Sequence, residues 1–240
     1  MFYQSIRIQI AIITKLINNT KFKIDKGDHL LDTHTHILWN IDDGSKNQCM
    51  SLQMLEIAAR SGTKAIFATP HVIERANKPS WEEIKEKTQQ LRQLCAEAQI
   101  DIMLYPGAEV QMNWELLPEL GAAGAYCLNG GRYLLVELPA AEIPAYADEF
   151  WYELELKGIT PILAHPERYQ QLRENPDLLL LWRRRGMLMQ CNSGSFTGMF
   201  GSSVCENAKV LLANGLVDLL GSDGHRSEGR NTDMSRAAAV

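Results

Sequence analysis

The sequence predicts a single α/β domain, a seven-stranded (β/α)7 barrel of parallel strands. Three observations predict it. From Asp28 onward, short apolar runs alternate with stretches of helical periodicity, the mark of repeated βαβ units. Gly62, Gly158, Gly186 and Gly215 each fall after a helical stretch and before an apolar run, where a left-handed cap is expected. The length of 240 residues suits one domain of this kind, since α/β barrels commonly use about 200 to 250 residues.

Taken in order, residues 1–28 read as an N-terminal extension, helical or partly disordered, ahead of a domain over 29–240. Its apolar run Ile8 to Ile13 lies between Arg7 and Lys15, too short for a transmembrane helix, and no small-residue cleavage site follows. Lys21 to Asp28 reads as a polar linker. The expected strands are Leu30 to Ile37, Lys64 to Thr69, Ile102 to Tyr105, Tyr133 to Leu138, Thr160 to Ala164, Met187 to Cys191 and Val217 to Gly221. Helices are expected over Cys49 to Arg60, Trp81 to Ala98, Ala145 to Lys157, Asp177 to Arg185 and Val204 to Ala213, with a short piece near Trp114 to Leu120. Met50, Met54, Ile57 and Ala58 have helical spacing and read as core. Arg183 to Arg185 read as a solvated helix end.

A net charge of −5 and a pI near 5.7 argue against a nucleic-acid partner, which calls for a concentrated basic surface. The five cysteines are odd in number and contain no C-x-x-C pair, which argues against a disulfide framework or zinc ribbon and fits a reducing, cytoplasmic setting.

In parallel α/β folds, function collects where strands end, and the imidazoles and carboxylates of this chain fall there. In Asp32-Thr33-His34-Thr35-His36, the two histidines and Asp32 share one face of an extended strand. The turn Ile41-Asp42-Asp43-Gly44 follows with two carboxylates. His71 lies past the second strand, Glu109 past the third, and Glu137 is a lone charge in an apolar fourth strand, where it needs a cation. His165 ends the fifth strand, and Asp223 and His225 follow the seventh. Five of the six histidines thus join four carboxylates at one end of the expected barrel. Oxygen and nitrogen donors without thiolate suit manganese, iron or zinc, and clustered divalent ions are a usual means of activating water against a phosphate ester. The alternative of a cysteine nucleophile has one approach, Cys127 to Arg132, which is one residue short of the usual spacing and leads into a strand.

These motifs, in order, are Asp-x-His-x-His with Ile-Asp-Asp-Gly, Thr-Pro-His, Gly-x-Glu, a glutamate in the fourth strand, Ala-His-Pro-Glu-Arg, and Ser-Asp-x-His followed by Gly-Arg. Together they resemble the polymerase and histidinol phosphatase (PHP) superfamily, which implies a distorted seven-stranded TIM-like barrel fold. More narrowly they resemble its manganese-dependent bacterial protein-tyrosine phosphatases of capsule and exopolysaccharide synthesis, over about Asp32 to Arg230.

The resemblance implies three divalent ions, manganese first with iron or zinc as alternatives. One would be held by His34, His36, Glu109 and Asp223, a second by Glu109, Glu137 and His165, and a third by Asp43, His71 and His225. It implies that Arg168 and Arg230 clamp the phosphate, with Asp32 orienting a histidine from behind. The implied partner is a phosphotyrosine-bearing protein, a bacterial tyrosine autokinase. A small-molecule phosphatase such as histidinol phosphatase and a catalytically silent metal-binding module are the rival expectations. Trp39-Asn40 departs from the family's usual Pro-Gly turn, and Met234 to Val240 reads as the start of a closing helix.

Overall fold

The computed structural model describes residues 30–238, so the expected extension over 1–28 lies outside the described residues. Nine strands are seen: β1 (Leu30–Thr35), β2 (Thr63–Ala68), β3 (His71–Val72), β4 (Met103–Pro106), β5 (Glu109–Gln111), β6 (Tyr133–Glu137), β7 (Thr160–Ala164), β8 (Leu188–Asn192) and β9 (Leu219–Gly221). Every strand pairing is parallel, as the βαβ rhythm predicts. The strands form a three-stranded sheet, β1-β2-β4, and a six-stranded sheet, β3-β5-β6-β7-β8-β9, that curls as a half-barrel.

This differs from one ring of seven unbroken strands, and the reason is local. Pro70, which has no N–H to donate, separates β2 from β3, a short strand past the end of the expected Lys64 to Thr69. Gly107-Ala108 separates β4 from β5, which likewise lies past the end of the expected Ile102 to Tyr105. A Cβ on Gly107 would lie 2.7 Å from Leu128 Cδ2, so a larger residue at this turn would have to displace the leucine side chain. Single hydrogen bonds cross both breaks, from Gly107 N to Ala68 O at 2.9 Å and from Glu109 N to Pro70 O at 3.0 Å. At the other junction Asp223 N donates to His34 O at 2.8 Å and His36 N to Gly224 O at 2.9 Å, beside the open edges of β1 and β9.

The helices are α1 (Gln48–Arg60), α2 (Trp81–Glu97), α3 (Ala147–Leu156), α4 (Gln170–Glu174), α5 (Pro176–Arg184), α6 (Ser193–Phe196), α7 (Ser202–Ala213) and α8 (Ser235–Ala238). Asn47 and Ser80 cap α1 and α2, accepting from Met50 N and Glu83 N. The four glycines expected as caps all have φ between +68° and +93°. The piece expected near Trp114 to Leu120 is only a 3-10 turn over Trp114–Leu116. α4 and α6 were not legible because each is a single short turn. Arg183 is not simply solvated: it pairs with the buried Asp218, which also accepts from Met189 N at 2.9 Å.

Alternation along the strands builds two cores. Leu134, Val136 and Leu163 face the helices, where Phe150, Trp151 and Trp182 are fully buried. Tyr133, Leu135, Ile162 and Ala164 face inward with Leu31, Phe67 and Leu219. In β1 the register slips between Asp32 and Thr35, so that His34 and His36 face inward although Leu31 does too. Asp32 secures that bulge: its Oδ1 accepts from His34 N at 3.2 Å and from Ser222 N at 2.8 Å.

Candidate metal centre

The nine expected donors are brought together around Glu109, at the C-terminal ends of the strands. Glu109 follows the Gly107 turn and is 1% exposed. Its Oε2 lies 3.1 Å from His34 Nε2, 3.3 Å from His36 Nε2 and 3.1 Å from His71 Nδ1, and its Oε1 lies 2.9 Å from His165 Nε2. Asp223 Oδ1 is 3.5 Å from His34 Nε2 and 3.4 Å from His36 Nε2. Asp43 Oδ1 is 3.3 Å from His225 Nε2 and 3.8 Å from His71 Nε2, and Glu137 Oε1 is 3.4 Å from His71 Nδ1.

Four compact groups of potential ligand atoms result: His36 with Asp43, His71 and His225; His34 with His36 and Asp223; His34 with Glu109 and His165; and His71 with Glu109 and Glu137. Glu109 belongs both to the group that contains His165 and to the one that contains Glu137.

The donors fit divalent ions. His34 Nε2 and His36 Nε2 face each other at 3.1 Å, and both face the same carboxylate oxygens. Ligands about 2.0–2.2 Å from one ion stand roughly 3.0–3.5 Å from each other, the spacing found here. His71 Nδ1 is buried 3.1 Å from Glu109 yet makes no aligned hydrogen bond, and His165 Nδ1 is buried without a partner.

Charges follow from the same crowding. Burial opposes ionisation of Glu109 and Asp223, but the facing imidazoles outweigh it and hold both carboxyls well below the usual range. Glu137 is pushed up to about 9, first by burial and then by the Glu109 charge. Burial lowers His71 to about 4. Burial disfavours the His36 cation too, yet Asp42, Asp223 and Glu109 together outweigh it and hold the ring well above its ordinary value.

Three residues behind the donors were not singled out in the sequence. Asp42 Oδ2 is 2.7 Å from His36 Nδ1 and also accepts from His71 N at 3.0 Å. Gln190 Oε1 is 3.0 Å from His34 Nδ1, while its amide nitrogen donates to Cys191 O at 2.8 Å and Asn192 Oδ1 at 3.1 Å. With the amide fixed that way, its oxygen faces His34, which must carry its proton on Nδ1 and leave Nε2 free for the cluster. Asn192 Nδ2 in turn donates to Asp223 Oδ2 at 2.6 Å. Asp32, expected to orient an imidazole, acts on main-chain N–H groups instead. Gln190 and Asn192 stand two apart on β8, and that pair of amides ending an apolar strand is the signal that could have found them.

Arg168, at the end of the 3-10 turn Pro166–Arg168, donates to Asp223 Oδ2 at 3.1 Å, and Arg230 binds the same oxygen. Both line a cleft of about 670 Å³ with Asp43, Glu137, His165 and His225. Arg230 Nε is buried with no partner, a donor left over for an anion. Cys127 takes no part: it is fully buried, and burial raises its thiol to about 11, the reverse of an activated nucleophile.

Residues 30–240 match the family described as capsular polysaccharide synthesis, CpsB/CapC. The chain is 34% identical over 211 residues to the tyrosine-protein phosphatase YwqE of Bacillus subtilis, covering 88% of this chain and 83% of that one. A crystal structure from work on YwqE and on CpsB of Streptococcus pneumoniae, described as unique metal-dependent tyrosine phosphatases, superposes with a TM-score of 0.81 at 34% identity, covering 87% and 84% of the two chains. A histidinol phosphate phosphatase from Lactococcus lactis, 17% identical, shares the fold with a TM-score of 0.54 over 86% of this chain and 93% of that one. By a match spanning nearly nine tenths of its length, the chain belongs to the CpsB/CapC family of capsular polysaccharide synthesis.

Proposed function

We propose that this protein is a metal-dependent protein-tyrosine phosphatase that removes phosphate from a bacterial tyrosine autokinase controlling capsule or exopolysaccharide synthesis. The observation that carries this reading is the convergence of nine imidazole and carboxylate donors, Glu109 at their centre, beside two arginines joined at Asp223. Identity to tyrosine phosphatases over most of the chain supports the substrate class.

We assign His34, His36, Glu109 and Asp223 to one ion, Glu109, Glu137 and His165 to a second, and Asp43, His71 and His225 to a third, with manganese as the native metal ahead of iron or zinc. Divalent ions held there would supply Lewis-acid activation of water and neutralise the charge of the phosphoryl oxygens. The residues of the chain do the rest. Asp42 and Gln190 fix the ring orientations of His36 and His34. Arg168 and Arg230 offer their unspent N–H groups to the phosphoryl oxygens while Asp223 keeps them in place. The leaving phenolate, with a pKa near about 10, needs little help from a general acid.

We read the two sheets as one barrel of seven strand paths, β2 continuing into β3 and β4 into β5, closed where β9 meets β1, and residues 29–240 as its single domain. Among the described residues no helix is long and apolar enough to cross a membrane. A cytoplasmic enzyme meeting the intracellular tail of its partner fits that and the free cysteines.

The test is phosphate release by chelated protein, with manganese restored, from a phosphotyrosine peptide and from histidinol phosphate. Preference for the peptide is expected. Preference for histidinol phosphate would replace this reading by the small-molecule one, and release from neither, with metal bound, would leave a silent metal-binding module.

A further inference from the structure

Of the seven strand paths among the described residues, the one ending in β8 supplies no candidate ligand, and its loop does something else. After α6 the chain turns back over Gly194, where a Cβ would meet Met199 Sδ at 2.8 Å and Phe200 Cε2 at 3.2 Å. Gly198 and Gly201 take φ of +83° and +92°, which lets the turn close around Met199 and Phe200. The half-buried Phe200 ring is thereby set against both cleft arginines: Arg168 Cζ lies 4.7 Å and Arg230 Cζ 5.6 Å from its centroid.

The two guanidinium groups repel each other and come from distant segments, one after β7 and one after β9. They converge on a single carboxylate oxygen, Asp223 Oδ2, whose other oxygen faces the histidines. One oxygen cannot fix the planes of two cations. An aromatic face offers each a second attraction, worth most where water is scarce. We propose that Phe200 is a positioning residue that holds Arg168 and Arg230 side by side as a preformed site for the phosphoryl group. The inference rests on the reading that these arginines bind phosphate. Unlike Asp223, Phe200 belongs to none of the potential ligand groups, so its role can be separated from metal binding.

The experiment compares manganese-loaded full-length wild type with Phe200→Leu, which keeps an apolar side chain but removes the π face, and with Phe200→Tyr, which keeps the face. Inorganic phosphate binding is measured by calorimetry, with metal content and melting midpoint taken on the same samples. Phe200→Leu should bind phosphate about 5- to 30-fold more weakly with metal content unchanged, and Phe200→Tyr should bind as wild type does. Phosphate affinity within twofold of wild type in Phe200→Leu, while Arg168→Ala weakens it, would overturn the inference alone. Undiminished phosphate binding in both Arg168→Ala and Arg230→Ala would overturn the clamp and the inference together. A loss in Phe200→Leu that Phe200→Tyr shares would show that the ring's attraction is not the cause.

Discussion

At the scale of single residues, the imidazoles that face the cluster are held from behind, His34 by Gln190 and His36 by Asp42. Asp42 looked equivalent to Asp43 in the same turn, yet the structure divides their work: Asp43 faces His71 and His225 in the cleft, and Asp42 turns inward to His36 Nδ1. Sequence spacing cannot separate adjacent residues of a turn, because the backbone angles decide which one points inward. Asp42→Ala and Gln190→Leu should each weaken manganese binding by roughly 10- to 100-fold, as removal of a histidine's partner does, measured by competition with a chelator. The same scale fixes a pH dependence. Without metal, Glu137 keeps its proton up to about 9, whereas His71, lowered to about 4, is already neutral at pH 7. Metal must displace the Glu137 proton and the extra proton held on His36, so affinity should rise with pH from 7 to 9, and loading should release protons. Calorimetry in buffers of different ionisation enthalpy reads that release, and a release undiminished in Glu137→Gln would place Glu137 outside the metal site.

At the scale of elements, the seven apolar runs were found because parallel strands buried on both faces read as continuous hydrophobic stretches. β3 and β5 were missed because each is only two or three residues long, too short to carry a period of its own. Pro70 signals a break by itself, but the crowding at Gly107 comes from Leu128, twenty-one residues away. Asn40 adopts φ of +50°, a left-handed conformation that asparagine tolerates better than most residues, so the turn forms there without glycine. Gly44 has no such substitute. A Cβ there would collide with His36 O and lie 2.5 Å from His36 Cβ, within the turn that presents Asp42 and Asp43. Gly44→Ala should lower the melting midpoint by roughly 3–10 °C and reduce metal content, as shown by thermal denaturation and metal analysis. An unchanged midpoint with full metal would show that the turn can relax.

At the scale of the molecule, the fold is a device for bringing distant strand ends to one point. Glu109, His165 and Asp223 are separated by scores of residues, and only the parallel sheets make them neighbours. The cost is a buried, crowded set of like and unlike charges that divalent ions would relieve. Manganese at about 100 times its dissociation constant should therefore add roughly 2.7 kcal/mol to stability, seen as a rise in melting midpoint that a chelator reverses. Asp223 joins this cluster to the arginines, so the proposed metal and phosphate sites share one carboxylate. The most direct measurement is phosphate release from a phosphotyrosine peptide by wild type and His36→Ala, each first stripped of metal and then titrated with manganese. The account predicts no release from stripped wild type, full recovery with manganese, and little recovery in His36→Ala. Undiminished release from metal-free protein, or equal recovery in His36→Ala, would contradict it.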